Sequence, residues 1–410
     1  MVAVFEDDLF TPDFLKDPYT YFQRLREEDP VHWNEKYEVW IITRYEELVW
    51  VARHNELFSS EVFKRDPRGP YPEIDEDDLE LYKFVRSYQS QRFIQHDRPE
   101  HAQERMVVHS WFNPKAMEQW RPMVQSAIKE LLDRVEEKGG MDVMRDFAVP
   151  LPLLVISQMM EIPTSDRPYV RSLAEKTLYL NRGEADRLRI WTEGVKGLWE
   201  YLVPLVDERV GNPEEDLLSV LAGGARKGVF TRDEVVNNAI LLLVAGHETT
   251  INLICNGTLA FIHHPEQWEL LRANPTMSFP PLIQRATEEC LRYDSSVKSI
   301  QRIAAQDVEM RGKVIRKDDR VRWFISSANR DAEAFERPDE FDITRWPNRH
   351  VSFGSGVHHC LGATLARLEG QEAFQGLAQR FPSLHLETED LEYQPSMNFR
   401  SLKALPVTWN

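Results

Sequence analysis

Cysteine is scarce in this chain of 410 residues: Cys255, Cys290 and Cys360 are all it has. Cys360 sits in FGSGVHHCLG, Phe353 to Gly362, with three glycines and two adjacent histidines. A lone cysteine before a helix is more often a small buried hydrophobe than a ligand. Here Gly354, Gly356 and Gly362 bracket it, which suits a backbone that must approach something flat and bulky. A helix beginning near Leu361 would aim its unpaired N–H groups at the sulfur, and they and the helix dipole favour a thiolate. A thiolate is a metal ligand, but a structural zinc needs four protein ligands, and His358, His359 and Cys360 are too close in sequence to share one tetrahedron easily. Attached c-type haem would need Cys-x-x-Cys-His, which is absent. One thiolate as the axial ligand of a b-type haem needs only one cysteine.

Other residues could act with it. Glu248 and Thr249 are consecutive, follow Ala245-Gly246, and interrupt an otherwise apolar stretch. Taken singly, such a threonine caps a local carbonyl and such a glutamate faces solvent. Together, glycine and threonine can open a helix ladder and make room for water. Glu289 and Arg292 are three apart and share a helix face, which by itself is a weak surface pair. His101 and Arg105 are four apart and point the same way.

The cysteine segment resembles the haem-binding loop of the cytochrome P-450 family, the haem-thiolate monooxygenases. The family pattern is Phe-Gly-x-Gly-x-His-x-Cys-x-Gly, and Phe353, Gly354, Gly356, His358, Cys360 and Gly362 match it without a gap. The resemblance implies haem b, with Cys360 as the axial iron ligand, His358 hydrogen-bonded to a propionate and Phe353 packed near the thiolate. His359 falls between motif positions and receives no role. AGHETT resembles the family's oxygen-activation stretch, Ala-Gly-x-(Asp/Glu)-Thr-Thr. Thr249 would then stabilise bound dioxygen and Glu248 relay protons from solvent, with Ala245 and Gly246 allowing close approach of a flat group; an acid beside an alcohol suits proton delivery. His247, at the variable position, would be structural. HDRPEHAQER resembles the helix against the haem, which implies propionate contacts for His101 and Arg105. Arg302 in SIQRIAAQ matches the strand arginine that grips the other propionate, a task suited to a charged fork of donors. EECLR resembles the family's buried Glu-x-x-Arg pair, with Arg345 of FDITR as third member. Burying such a network is costly, so it marks scaffold rather than chemistry.

These residues need elements to hold them. Helical spacing dominates, as in PYTYFQRLREEDP and RYEELVWVARH, with VHW and VWII between them as a hairpin. Residues 62–80 mix proline with charge and predict a loop. Helices are predicted from about Pro99 to Glu137 and on to about Val210. Thr231 and Glu234 form a capping box at the start of a very long helix that carries AGHETT and ends before Pro265. About 30 residues would span roughly 45 Å. PPLIQRATEECLRY predicts another helix, DVEMRGKVIRKDDRVRWFISS short strands, and ATLARLEGQEAFQGLAQRF a helix after the cysteine. The expected architecture is mainly α with minor β: the cytochrome P-450 fold, with a long central helix across the haem, small sheets at one side, and residues 1–410 as a single catalytic domain.

Composition bounds the partners. Lysine and arginine number 50 against 67 acids, a formal charge of −17, which disfavours nucleic acid and anionic membranes. The N-terminal residues show no signal-peptide pattern, and the longest apolar run, Ala239 to Gly246, falls short of the roughly 18 residues of a membrane span. Few cysteines in odd number fit a reducing cytoplasm. The resemblance implies a soluble bacterial-class monomer that inserts one oxygen atom from dioxygen into an apolar organic molecule and reduces the other to water. Electrons would come from NAD(P)H through a separate ferredoxin or flavodoxin with its reductase, since no Gly-x-Gly-x-x-Gly fingerprint is present. That donor would dock on the cysteine side near Arg105, Lys115 and Arg349. Rival readings are a peroxide-driven or coupling enzyme and a haem-based sensor. By the family's layout the pocket draws on residues 82–94, 178–182, 242–249, 297–300 and 397–398, including Tyr88, Phe93, Leu242, Val297, Ile300 and Met397. Lys298 either anchors a substrate carboxylate there or points away, because strand neighbours alternate faces. The charged 62–94 region is expected to form a lid.

Overall fold

The computed structural model describes residues 7–66, 78–178, 186–276 and 279–409. Its axis is the helix Arg232–His263, 32 residues long, or about 48 Å at 1.5 Å per residue. The Thr231 hydroxyl accepts the Glu234 N–H at 3.2 Å, and the Glu234 carboxylate accepts the Thr231 N–H at 2.7 Å. This reciprocal box satisfies two donors that a bare helix start leaves unpaired. Pro265 cannot continue the helix and opens the next, Pro265–Ala273. By length and composition Arg232–His263 could cross a membrane, but 67% of its apolar stretch is buried inside the protein. It is a core helix.

The helices Pro150–Met159, Arg187–Gly211, Leu282–Tyr293 and Ala363–Arg380 all pack against it. Gly257 sits at the crossing with Ala363–Arg380. A Cβ there would lie 2.4 Å from the Phe374 ring of Ala363–Arg380, so only glycine lets the two helices meet at this depth.

The hairpin forms as expected: Val31–Asn34 pairs antiparallel with Val39–Ile42. It extends into a five-stranded sheet in the order Val31–Asn34, Val39–Ile42, Arg320–Phe324, Ser299–Ala304, Phe58–Ser59. Arg302 faces Val321 and Ile300 faces Trp323 in its register. The expected strand ends at Phe324, and Ile325–Ala328 turn helical. Gly140–Asp142, Pro406–Thr408 and His385–Leu386 make a second sheet, whose strands are too short to leave an alternating pattern. Within the expected 62–80 loop, Val62–Arg65 is instead a turn of helix, supported by Glu61 pairing with Lys64 at 2.8 Å and Arg65 at 2.9 Å. At its far end Leu79 and Glu80 already belong to the helix Leu79–Ser90, and residues 67–77, part of that loop and of the expected lid, lie outside the described residues.

Candidate active site

The long helix and the cysteine loop face each other across a cavity of about 1190 Å³. Cys360 lies on one wall, and Ala245, Gly246, Glu248 and Thr249 lie on the other. The loop is shaped by glycine: Gly354 and Gly356 have φ of +71° and +72°. The Cys360 N–H then donates to the Phe353 carbonyl at 2.8 Å, and Gly362 caps the helix Ala363–Arg380. Gly354 and Gly362 border the cavity, but Gly356 does not. A Cβ on Gly356 would stand 2.3 Å from the Ala52 carbonyl oxygen. Glycine is thus required there by packing against the end of the helix Tyr45–Arg53.

The Cys360 sulfur is open to the cavity yet enclosed by protein. Burial raises its thiol, against the pull of the Gly362 N–H, Arg105 and Arg367. The helix start therefore favours the thiolate as anticipated, but burial outweighs it, and a bound metal must displace the proton.

Arg105, Arg302 and His358 border the cavity, and His101 joins them through His358. The His101 and His358 rings stack at 3.9 Å with 29° between planes. His358 Nε2 meets the Ser60 hydroxyl at 2.9 Å, while the buried His101 Nε2 has no hydrogen-bond partner among the described residues. Arg302 lies over the Trp323 ring at 4.9 Å and donates to the Gln301 carbonyl. Arg105 donates to the His359 carbonyl at 2.6 Å. Burial and the neighbouring arginines push His101 down to about 4 and His358 to about 2, and burial lowers Arg302 to about 10. Donors that depress one another in this way suit an anionic ligand. The set fits a haem: a thiol below, a side-chain-poor helix surface above, and donors for carboxylates at the rim.

On the long helix, the Thr249 hydroxyl donates to the Ala245 carbonyl at 3.1 Å, one turn back. Glu248 is half-buried beside it. His247 is buried, with Nε2 at 3.2 Å from the Val149 carbonyl. Sequence reasoning missed Glu369. It is buried at the cavity wall, accepts the Thr250 hydroxyl at 3.2 Å, and is raised to about 8 by burial. The signal was present: a glutamate one residue after Leu368, on the apolar face of its helix.

The sequence has many relatives of the same build. A family model described as Cytochrome P450 matches residues 206–404. The biotin biosynthesis cytochrome P450 of Bacillus subtilis is 37% identical over 97% of this chain and 97% of its own. The cytochrome P450 monooxygenase PikC of Streptomyces venezuelae is 35% identical, covering 97% and 92%. Among solved structures, CalO2 superposes with TM-score 0.88 at 32% identity, over 100% of this chain and 99% of that one. P450BioI, solved with an acyl carrier protein bearing hexadec-9Z-enoic acid, gives TM-score 0.86 at 35% identity, over 97% and 99%. The chain belongs to the cytochrome P450 family. It is a monooxygenase of organic molecules that carries thiolate-ligated haem b and takes dioxygen and electrons from redox partners.

In this cytochrome P450, Tyr88, Phe93, Leu242, Val297, Ile300 and Met397 all border the cavity. Trp191 and Ile240 do so as well, from helices whose register the sequence did not fix. Residues 179–182 of the expected pocket lie outside the described residues. Lys298 is not at the cavity wall: its side chain is buried with Nζ 5.5 Å from the Phe14 ring centre, so of the two readings it points away.

Glu289 and Arg292 are both fully buried, joined at 2.8 Å, and Arg345 reaches Glu289 at 3.2 Å. Arg292 also donates to the carbonyls of Asn329, Pro338 and Glu340. Glu289 further accepts the Asp342 N–H and the Asn348 amide. Such saturation is what makes a buried pair tolerable. It ties the helix Leu282–Tyr293 to the loop leading into the cysteine segment.

Proposed function

We propose that Cys360 supplies the axial thiolate and that His101, Arg105, Arg302 and His358 hold the haem propionates. Thiolate-ligated haem b provides dioxygen activation when bound. This chain's residues do the rest. The Glu248 carboxyl takes protons from solvent and hands them to the Thr249 hydroxyl, which faces the cavity. Phe93, Leu242, Val297 and Ile300 hold an apolar substrate and keep water out. The observation that carries this reading is that Cys360 and the Glu248–Thr249 pair, 111 positions apart, face one cavity. The acid–alcohol pair favours dioxygen over peroxide as oxidant.

The electron donor is a ferredoxin or flavodoxin docking on the cysteine side, where Lys115 and Arg349 are exposed and Arg105 is half-exposed. Residues 1–410 act as one catalytic unit, a monomer in a bacterial cytoplasm. The deciding test is the spectrum of the reduced, carbon-monoxide-treated protein. A strongly red-shifted Soret band that disappears in Cys360→Ala supports the assignment; a histidine-type carbonyl spectrum removes it. Thr249→Ala should then leave the band intact but waste electrons as peroxide or water. Unchanged electron transfer after charge reversal at Lys115 and Arg349 would dismiss the docking site.

A further inference from the structure

The segment joining the helices Leu79–Ser90 and Glu100–His109 brings Phe93 to the cavity wall. Phe93 opens a short 3-10 turn, Phe93–Gln95, so its buried N–H has no partner within that turn. The partner comes from the long helix: Asn238 Oδ1 accepts the Phe93 N–H at 3.1 Å. Asn238 is itself fully buried, and its Nδ2 donates to the Glu234 carbonyl at 2.8 Å. Next to it, Asn237 Nδ2 donates to Gln91 Oε1 at 2.8 Å. Two adjacent asparagines thus fasten this segment to the helix that also carries Glu248 and Thr249.

We infer that Asn238, seconded by Asn237, is a positioning residue that sets the depth of the Phe93 wall and thereby selects which bulky substrates fit. This rests on the cavity being the haem and substrate site. The Phe93 ring is fixed at its other side by stacking on His101, at 6.3 Å and 23°. Tyr88, one turn earlier, is braced edge-on by Trp191 at 5.4 Å. The wall is therefore held by backbone and ring contacts, with Asn238 supplying the one side-chain bond from the long helix to the Phe93 backbone among the described residues. Leucine there would leave the Phe93 N–H buried and unpaired, and the segment would move to regain a partner.

The test uses the holoenzyme and two haem ligands, imidazole and 4-phenylimidazole, read by the nitrogen-ligand Soret shift. Imidazole needs only the iron, whereas the phenyl group must pack on the wall. Asn238→Leu should weaken 4-phenylimidazole about tenfold, the cost of an unmade buried hydrogen bond, and imidazole less than about twofold. Asn238→Asp, which keeps the acceptor, should stay near the parent ratio. Equal loss for both ligands, or no loss for either, overturns the inference. If Asn238→Leu fails to retain haem, Gln91→Met breaks the second tie from the half-exposed side. It should weaken only the phenyl ligand, about threefold, and no change there also overturns the inference. Failure of the parent enzyme to bind imidazole would instead count against the haem assignment.

Discussion

Lys298→Met is expected to stabilise this protein, most at low pH. The lysine is buried beside Phe14, and burial, then Arg400 and Arg322, lower it from 10.5 to about 7, with Asp294 opposing. Its folded value lies below its unfolded value, so the native state binds the proton less tightly. Stability therefore rises with pH between about 7 and 10.5, and below 7 the whole cost of the buried charge is carried. At 1.36 kcal/mol per pKa unit that cost is about 5 kcal/mol. The cation over Phe14 returns about 0.5–2 kcal/mol, which methionine forfeits while keeping the aliphatic body. The net gain at pH 6 is then about 3–4 kcal/mol, shrinking toward zero or below by pH 10. Urea unfolding of both holoenzymes by far-UV circular dichroism, from pH 6 to 10 and with equal m, measures the difference directly. A variant less stable than the parent at pH 6, or a difference that does not change with pH, would refute the reasoning.

Other substitutions follow from the same structure. Arg292→Leu leaves the Glu289 charge buried with one partner fewer and should cost about 3–5 kcal/mol, seen as a lower Tm and loss of haem, while Glu289→Leu added to it should recover part of the loss. Among the loop glycines, alanine should be worst at Gly356, where φ is +72° and the Ala52 carbonyl blocks the Cβ. Gly354→Ala should cost only the left-handed strain of about 1–2 kcal/mol, and Gly362→Ala little, since its φ is −82°; haem retention during thermal scans ranks them. Glu369, raised by burial to about 8, keeps its proton when folded after the unfolded chain has lost it. Stability should therefore fall from about pH 4.5 to 8 on its account, and Glu369→Gln should gain on the parent across that window, by roughly 4 kcal/mol at pH 8; equal pH slopes would contradict this.

Much of this protein was legible in its residues, because the relevant signals are local. The Cys360 loop is a contiguous pattern. The capping box at Thr231–Glu234 and the stop at Pro265 depend on neighbours three or four positions away, as does the Glu289–Arg292 pair. Helix periodicity therefore located the long helix, and with it Glu248 and Thr249. The hairpin before Tyr45 was legible for the same reason.

Tertiary structure decided the rest. That a neighbouring helix demands glycine at position 356 depended on Ala52, some 300 positions away. Lys298 could face either side of its strand, and only the N-terminal segment bearing Phe14 settled which. Glu369 and Asn238 look like ordinary polar residues on amphipathic helices. They matter because helix packing buries them, one against Thr250 and the other against the Phe93 backbone. A buried polar group needs a partner, and which partner it finds is set by how distant elements meet, not by the residues on either side of it.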